Sequence, residues 1–185
     1  MQILCLILEG FYLKHFPPLP PEEAGKAVVI HDGEAPLDLS PEAIARGAKP
    51  GMSLKEMKSL LREEGRFVQV NQDQSRQDAL SWWDLCAECS DGVECPAPHM
   101  AYVDLSHHPQ PQEVGEELVR RLHRLLGLRV KACLAPSKWL GSLFAEPCAE
   151  VALNAGIPCL ATVADPAKSL APLPTSLLAP LSPEL

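Results

Sequence analysis

Short apolar segments alternate with longer amphipathic ones along most of the chain. The apolar segments are four to seven residues long, which suits buried strands better than helices. They lie at residues 2–8, 27–30, 67–70, 100–105, 130–135 and 157–163. Between them, apolar residues recur every three or four positions, most clearly at Val114, Leu118, Leu122 and Leu125. The pattern therefore predicts an α/β (α+β) fold in which helices pack on one mixed sheet.

Residues with strong turn and helix-end preferences divide this pattern into elements. The Asp-Gly pair at 32–33 predicts the turn of a small hairpin. Ser40, which proline follows, predicts the beginning of a short helix. Ser53 and Glu56 have the spacing of a capping box, so a second helix is expected to begin there. Gly127 predicts the end of the clearest amphipathic helix.

Composition and charge exclude some classes of protein. The chain has 185 residues, of which 46% are hydrophobic, so it can bury a core of domain size. Its net charge of −8 and isoelectric point near 5.2 are the opposite of what a protein needs to neutralise DNA phosphates by itself. We therefore expect any DNA contact to be weak, local or dependent on a partner.

The cysteines and the first residues indicate the compartment. There are seven cysteines, an odd number, and several lie in apolar segments such as residues 3–8 and 130–135. Such cysteines are typical of reduced thiols in a core. The first residues are apolar but have no basic region, and Glu9 interrupts them before a signal peptide or membrane span could form. These features predict a cytoplasmic protein without membrane contact.

Four segments of the chain form a recognisable series: ILCLILEGFY at residues 3–12, SPEAIARGAKPGMSL at 40–54, VECPAPHMAYVDLS at 93–106 and LAPSKWL at 134–140. In order and spacing they resemble the Y-family DNA polymerases, the translesion group that copies damaged DNA. The resemblance implies a ferredoxin-like palm with a mixed sheet packed by helices, together with a small fingers lobe. The expected division is a palm-like domain at 1–26 and 67–165, a fingers-like lobe at 27–66, and a proline-rich tail at 166–185 where the thumb would begin.

The resemblance also indicates where the catalytic carboxylates would lie. Ile7 and Glu9 occupy the positions of two family aspartates, and His99 and Met100 occupy those of an Asp-Glu pair. Ile44 replaces a triphosphate-binding arginine. Nucleotidyl transfer with two Mg²⁺ ions requires several converging carboxylate oxygens, which these residues do not supply. The chain thus resembles degenerate, ImuB-like members with a UmuC domain. For these, the resemblance implies a non-catalytic accessory or scaffold role in DNA repair, translesion synthesis and the SOS response.

Three further residues of these segments have two interpretations each. Tyr12 matches the family position beside the sugar of the incoming nucleotide, and Lys138 matches the lysine that approaches its triphosphate. The alternatives are core packing for Tyr12 and a solvated side chain for Lys138. Asp104 is expected to be a structural hydrogen-bond acceptor rather than a catalyst.

Two other functions stay open at this point. One is a nucleotidyltransferase that uses Glu9, Asp104 and a shifted acidic residue. The other is a zinc-stabilised binding module, because four residues follow the spacing C-x2-C-x5-C-x3-H, although buried free thiols would give the same pattern. These four residues are Cys86, Cys89, Cys95 and His99.

The expected partners are other DNA-repair or replication proteins. Residues 170–185, which are rich in proline and leucine, are a candidate docking segment. No resident cofactor is expected, neither magnesium nor zinc.

Overall fold

A computed structural model describes residues 1–153 and 160–173. Its strands are β1 Ile3–Glu9, β2 Ala27–His31, β3 Pro36–Leu39, β4 Gly65–Gln69, β5 Val93–Ala97, β6 Met100–Asp104, β7 Arg129–Ala135 and β8 Leu160–Thr162. Its helices are α1 Phe11–Lys14, α2 Pro41–Ala45, α3 Leu54–Leu61, α4 Gln72–Ala87, α5 Pro111–Leu126, α6 Lys138–Leu153 and α7 Pro166–Leu170. The predicted α/β class is therefore confirmed.

The larger sheet has five strands in the order β5-β6-β1-β7-β8. β1 lies in its centre and pairs antiparallel with both β6 and β7, whereas β8 runs parallel to β7. Both faces of β1 are covered by helices, which explains its nearly continuous apolar sequence. Within residues 1–153 and 160–173, no helix has the length and apolar character needed to cross a membrane.

The two faces of this sheet pack against different helices. Leu4 and Leu6 join a core that includes Trp82 of α4 and Leu118 of α5. The opposite face contains Cys5 in a smaller core beside α6. The large apolar cluster is the one that the amphipathic pattern of α5 predicts.

A second sheet is formed by β3, β2 and β4, which corrects the expectation of a single sheet. β2 pairs antiparallel with β3 and parallel with β4. Its own core contains Val29, Met57 and Leu61. The strand expected at 67–70 was assigned to the palm-like domain. In the structure, residues 67–69 belong to β4, which pairs with β2 of the small sheet. An apolar alternation shows that a strand forms, but it does not identify the neighbouring strand.

Helix beginnings agree closely with the sequence analysis. Ser53 and Glu56 form the expected capping box, and the Ser40 hydroxyl accepts a hydrogen bond from the backbone N–H of Ala43. Gly127 ends α5 with a positive φ of 63°, a conformation that glycine adopts without strain. α4 begins at Gln72, where the Asn71 side chain caps it by accepting a hydrogen bond from the Gln74 N–H.

Three short elements had not been expected. α1 has four residues, α7 has five, and β5 contains a glutamate and a proline, so none of them gives a clear period. The last strand had been expected at 157–163, and residues 160–162 form it, whereas residues 157–159 lie outside the described residues. Of the candidate docking segment 170–185, residues 174–185 also lie outside them.

Candidate functional site

The four positions that were compared with the family's carboxylates, Ile7, Glu9, His99 and Met100, lie together at one end of the larger sheet. Ile7 is opposite Met100 on β6 in the strand register, and Glu9 ends β1 two residues further on. His99 lies in the turn between β5 and β6, where its carbonyl oxygen accepts a hydrogen bond from the Leu8 N–H at 2.8 Å. The structure thus brings together the residues that the sequence comparison selected.

Glu9 is engaged by two cations from β7. Its carboxylate lies 3.1 Å from Nη1 of Arg129 and 3.7 Å from Nζ of Lys131. The register explains this, because β1 and β7 place Ile7 opposite Lys131 and Glu9 opposite Arg129. Arg129 and Lys131 are two residues apart, so both project from the same face of β7. Sequence analysis missed both cations, although their alternation in an apolar strand was a signal.

Tyr12 and His99 contact each other at the edge of this cluster. The Tyr12 hydroxyl lies 3.0 Å from Nδ1 of His99, and the two ring centroids are 5.4 Å apart. Burial raises the pKa of Tyr12 to about 12, with smaller effects from the negative charges of Asp38 and Asp32. The phenol therefore stays protonated at neutral pH. Packing, one of the two interpretations of Tyr12, agrees with its exposed fraction of 7%.

Asp38 connects the small sheet to the end of β1, and sequence analysis missed it. One carboxylate oxygen accepts a hydrogen bond from Gly10 N at 3.2 Å. The other oxygen accepts from Tyr12 N at 2.7 Å and Leu13 N at 3.1 Å. Burial raises the pKa of Asp38, more than these three hydrogen bonds lower it. An aspartate within the strand sequence PLDL was the available signal, because polar residues in half-buried strands usually have partners.

Lys138 lies at the beginning of α6 and has an acidic partner. Its ammonium group forms an ion pair with Glu94 of β5 and lies 5.7 Å from the centre of the Tyr102 ring. Ser137 caps this end of the helix, because its hydroxyl accepts a hydrogen bond from the Leu140 N–H at 3.3 Å. About half of the Lys138 side chain is exposed, which agrees with the solvated alternative. A phosphate that bound Lys138 would have to compete with the carboxylate of Glu94.

Ile44 is exposed to solvent, and Asp104 is a hydrogen-bond acceptor. Ile44 lies on α2 with an exposed fraction of 55% and carries no group that binds a phosphate. The Asp104 carboxylate accepts a hydrogen bond from Ser106 N at 2.9 Å, as expected of a structural acceptor. Hydrogen bonds from Ser106 hold the pKa of Asp104 below its usual range.

The three cysteines of the possible zinc site lie near one another, and the pKa of each thiol is raised. Burial is the main cause that raises the pKa of Cys86, Cys89 and Cys95, the last to about 11. The Cys89 thiol is 3.6 Å from the carbonyl oxygen of Leu85, and Nδ1 of His99 is engaged with Tyr12. In the described part of the chain, no group of three or more His, Cys, Asp or Glu side chains could hold a metal ion.

The donor set at the end of β1 does not fit a two-magnesium centre. Mg²⁺ prefers octahedral coordination by oxygen, whereas this cluster offers an alkyl group, a thioether and an imidazole. Among the four compared positions the one carboxylate is that of Glu9, and it lies beside two positive charges that would repel a divalent cation.

Solved structures with the same architecture include DNA polymerases. The chain superimposes on DinB from Sulfolobus solfataricus with a TM-score of 0.61 and 17% identity, over 88% of this chain and 48% of that one. A post-insertion binary complex of Dbh DNA polymerase gives a TM-score of 0.64 and 17% identity, over 92% and 50%. The chain therefore spans about half the length of these structures. Its two mixed sheets with their helices have the palm and fingers fold of Y-family DNA polymerases.

Sequence comparison identifies the family more directly. The model of the impB/mucB/samB family matches residues 9–146, about three quarters of the chain. The chain belongs to this family of Y-family polymerase-related proteins. No curated protein sequence matches it.

Proposed function

We propose that this chain is a non-catalytic, ImuB-like member of the family that acts as an accessory or scaffold protein in DNA repair and translesion synthesis. The observation that carries the proposal is the state of Glu9. It is the one carboxylate left among the four compared positions, and it is ion-paired with Arg129 and Lys131. A metal ion would have to displace two cations to reach a single carboxylate.

The position of Asp38 gives independent support. In the resemblance to the family, Tyr12 lies beside the nucleotide sugar, so the phosphates would approach the neighbouring backbone N–H groups. Asp38 already accepts hydrogen bonds from three of these groups, at Gly10, Tyr12 and Leu13. A triphosphate would lose these donors and would meet a negative charge as well.

The partners that we propose are proteins of DNA repair or replication. Family membership supports the process, and the net charge of −8 argues against DNA binding by this chain alone. Contact with DNA is then weak or passes through the partner.

Primer extension tests the absence of catalysis. The purified chain is assayed with primer-template DNA, nucleotides and Mg²⁺ or Mn²⁺, beside an active Y-family polymerase as the positive control. We expect no incorporation above the protein-free background. Robust incorporation by the native chain that Glu9→Gln abolishes would overturn the proposal and restore the nucleotidyltransferase alternative.

Complementation tests the accessory role. A strain that lacks the chain is expected to show less damage-induced mutagenesis, and the native chain and Glu9→Gln are expected to restore it equally. A loss of rescue with Glu9→Gln, when the variant accumulates to the native level, contradicts a role without catalysis. An unchanged mutation frequency in the deleted strain contradicts the accessory role itself.

A further inference from the structure

A groove at the beginning of α6 has an apolar floor open to solvent. Its volume is about 680 Å³, and it lies between the β5–β6 hairpin, the beginning of β1 and the first turn of α6. Met1, Tyr102 and Trp139 contribute apolar surface to it. The exposed fraction is 36% for Trp139 and 73% for Met1. A partly exposed tryptophan in an open groove is a typical anchor for a protein partner.

The rim of this groove is acidic. Asp91, Glu94 and Asp104 line it, and Lys138 is the one cationic side chain among its described lining residues. That lysine is ion-paired with Glu94, so its charge is already compensated. The pair is half exposed on both sides, and such surface pairs contribute little and exchange readily. Asp91 and Asp104 therefore have no cationic side chain in the groove lining, although the ammonium group of Met1 helps to lower the pKa of Asp104.

The surrounding sequence extends this negative field. Residues 88–109, which include the β5–β6 hairpin, contain four Asp and Glu residues and neither Lys nor Arg, a net charge of −4 out of −8 for the whole chain. A cluster of one sign attracts a partner of the opposite sign and raises its association rate. The same field repels the phosphates of DNA and RNA, so nucleic acid fits this groove poorly.

We propose that this groove docks a short basic and apolar segment of a protein partner. Arginine or lysine side chains of the segment face Asp91 and Asp104, and an apolar side chain between them packs against Trp139 and Tyr102. The inference rests on the proposed accessory function only for the choice of a protein as partner. The groove would bind such a segment whether or not the chain catalyses a reaction.

Fluorescence anisotropy with a short labelled peptide of alternating arginine and leucine tests this inference on the full chain. The variant Asp91→Asn/Asp104→Asn removes the two rim charges that the segment would face, and Trp139→Ala removes the apolar anchor. The matched control Asp73→Asn/Asp84→Asn removes two exposed acidic charges from α4, away from the groove. A glutamate–leucine peptide and single-stranded DNA serve as alternative ligands, and circular dichroism confirms that each variant is folded.

We expect saturable binding of the basic peptide that weakens about fivefold or more in the rim variant and in Trp139→Ala. The α4 control variant should stay within about twofold of the native chain. Equal weakening in both charge variants would mean general electrostatic attraction and would overturn the inference. The absence of saturable peptide binding would also overturn the inference. The same holds for DNA binding that Lys138→Ala abolishes and for self-association of the chain that Trp139→Ala removes.

These outcomes are separate from those of the proposed function. A chain that extends primers and still binds the peptide at the groove refutes the accessory role alone. A chain without polymerase activity that fails to bind the peptide refutes the docking site alone.

Discussion

Asp38→Ala is expected to weaken the connection between the small sheet and β1. The carboxylate accepts hydrogen bonds from three backbone N–H groups, at 3.2 Å from Gly10, 2.7 Å from Tyr12 and 3.1 Å from Leu13. A hydrogen bond to a charged group contributes roughly 1.5–3 kcal/mol, but water can reach part-buried N–H groups once the acceptor is removed. We therefore expect the free energy of unfolding to fall by about 2–4 kcal/mol.

Urea unfolding followed by far-ultraviolet circular dichroism measures this loss. Asp32→Ala is the matched control, because the Asp32 carboxylate also accepts hydrogen bonds from two backbone N–H groups, those of Glu34 at 2.8 Å and Ala35 at 2.7 Å. These bonds lie in an exposed turn, so the control should lose less than about 1 kcal/mol. Equal losses in the two variants would refute the interpretation of Asp38 as a link between the sheets.

The pH dependence of the same residue gives a second check. Burial raises the pKa of Asp38 above 3.8 in the folded chain. The folded chain then holds a proton on Asp38 at pH values where the unfolded chain has released it. This residue's contribution to stability therefore falls as the pH rises from about 4 through the raised pKa. Relative to Asp38→Asn, which does not titrate, the native chain should have its larger advantage near pH 4. A larger advantage near pH 7 would show that the hydrogen bonds outweigh burial.

Two further substitutions test the packing of α6 and the capping of α3. A Cβ atom at Gly141 would lie 2.8 Å from the Cβ of Cys5. Gly141→Ala should therefore lower the free energy of unfolding, measured by thermal denaturation, by about 1–3 kcal/mol. An unchanged melting temperature would show that α6 can shift away from β1. Ser53→Ala breaks the capping box with Glu56 and should cost about 1 kcal/mol in urea unfolding. Ser59→Ala in the middle of α3 is its control, and a similar loss there would contradict a capping effect.

Most of the secondary structure follows from local patterns. Helix capping acts over three or four residues, so Ser40, Ser53 and Gly127 could be read directly from the sequence. The central strand β1 was equally clear, because burial on both faces requires a continuous apolar run. The four-residue helix α1 escaped prediction because it is shorter than the period that would reveal it.

The residues of the candidate site were also predicted only in part. The positions Ile7, Glu9, His99 and Met100 were found from motifs that keep their order along the chain. Neither Lys131 nor Asp38 was found, although both are central to the site. Their roles depend on strand pairing and on the contact of the small sheet with the end of β1.

The sequence by itself determined the class of fold and most helix and strand positions. These properties depend on side-chain chemistry and on short-range periodicity, which are written in the order of residues. Only the tertiary structure decided that there are two sheets, that Glu9 faces two cations, and that Asp38 occupies three backbone donors. Each of these contacts joins residues more than twenty positions apart, and no local pattern specifies which distant strand will become the neighbour.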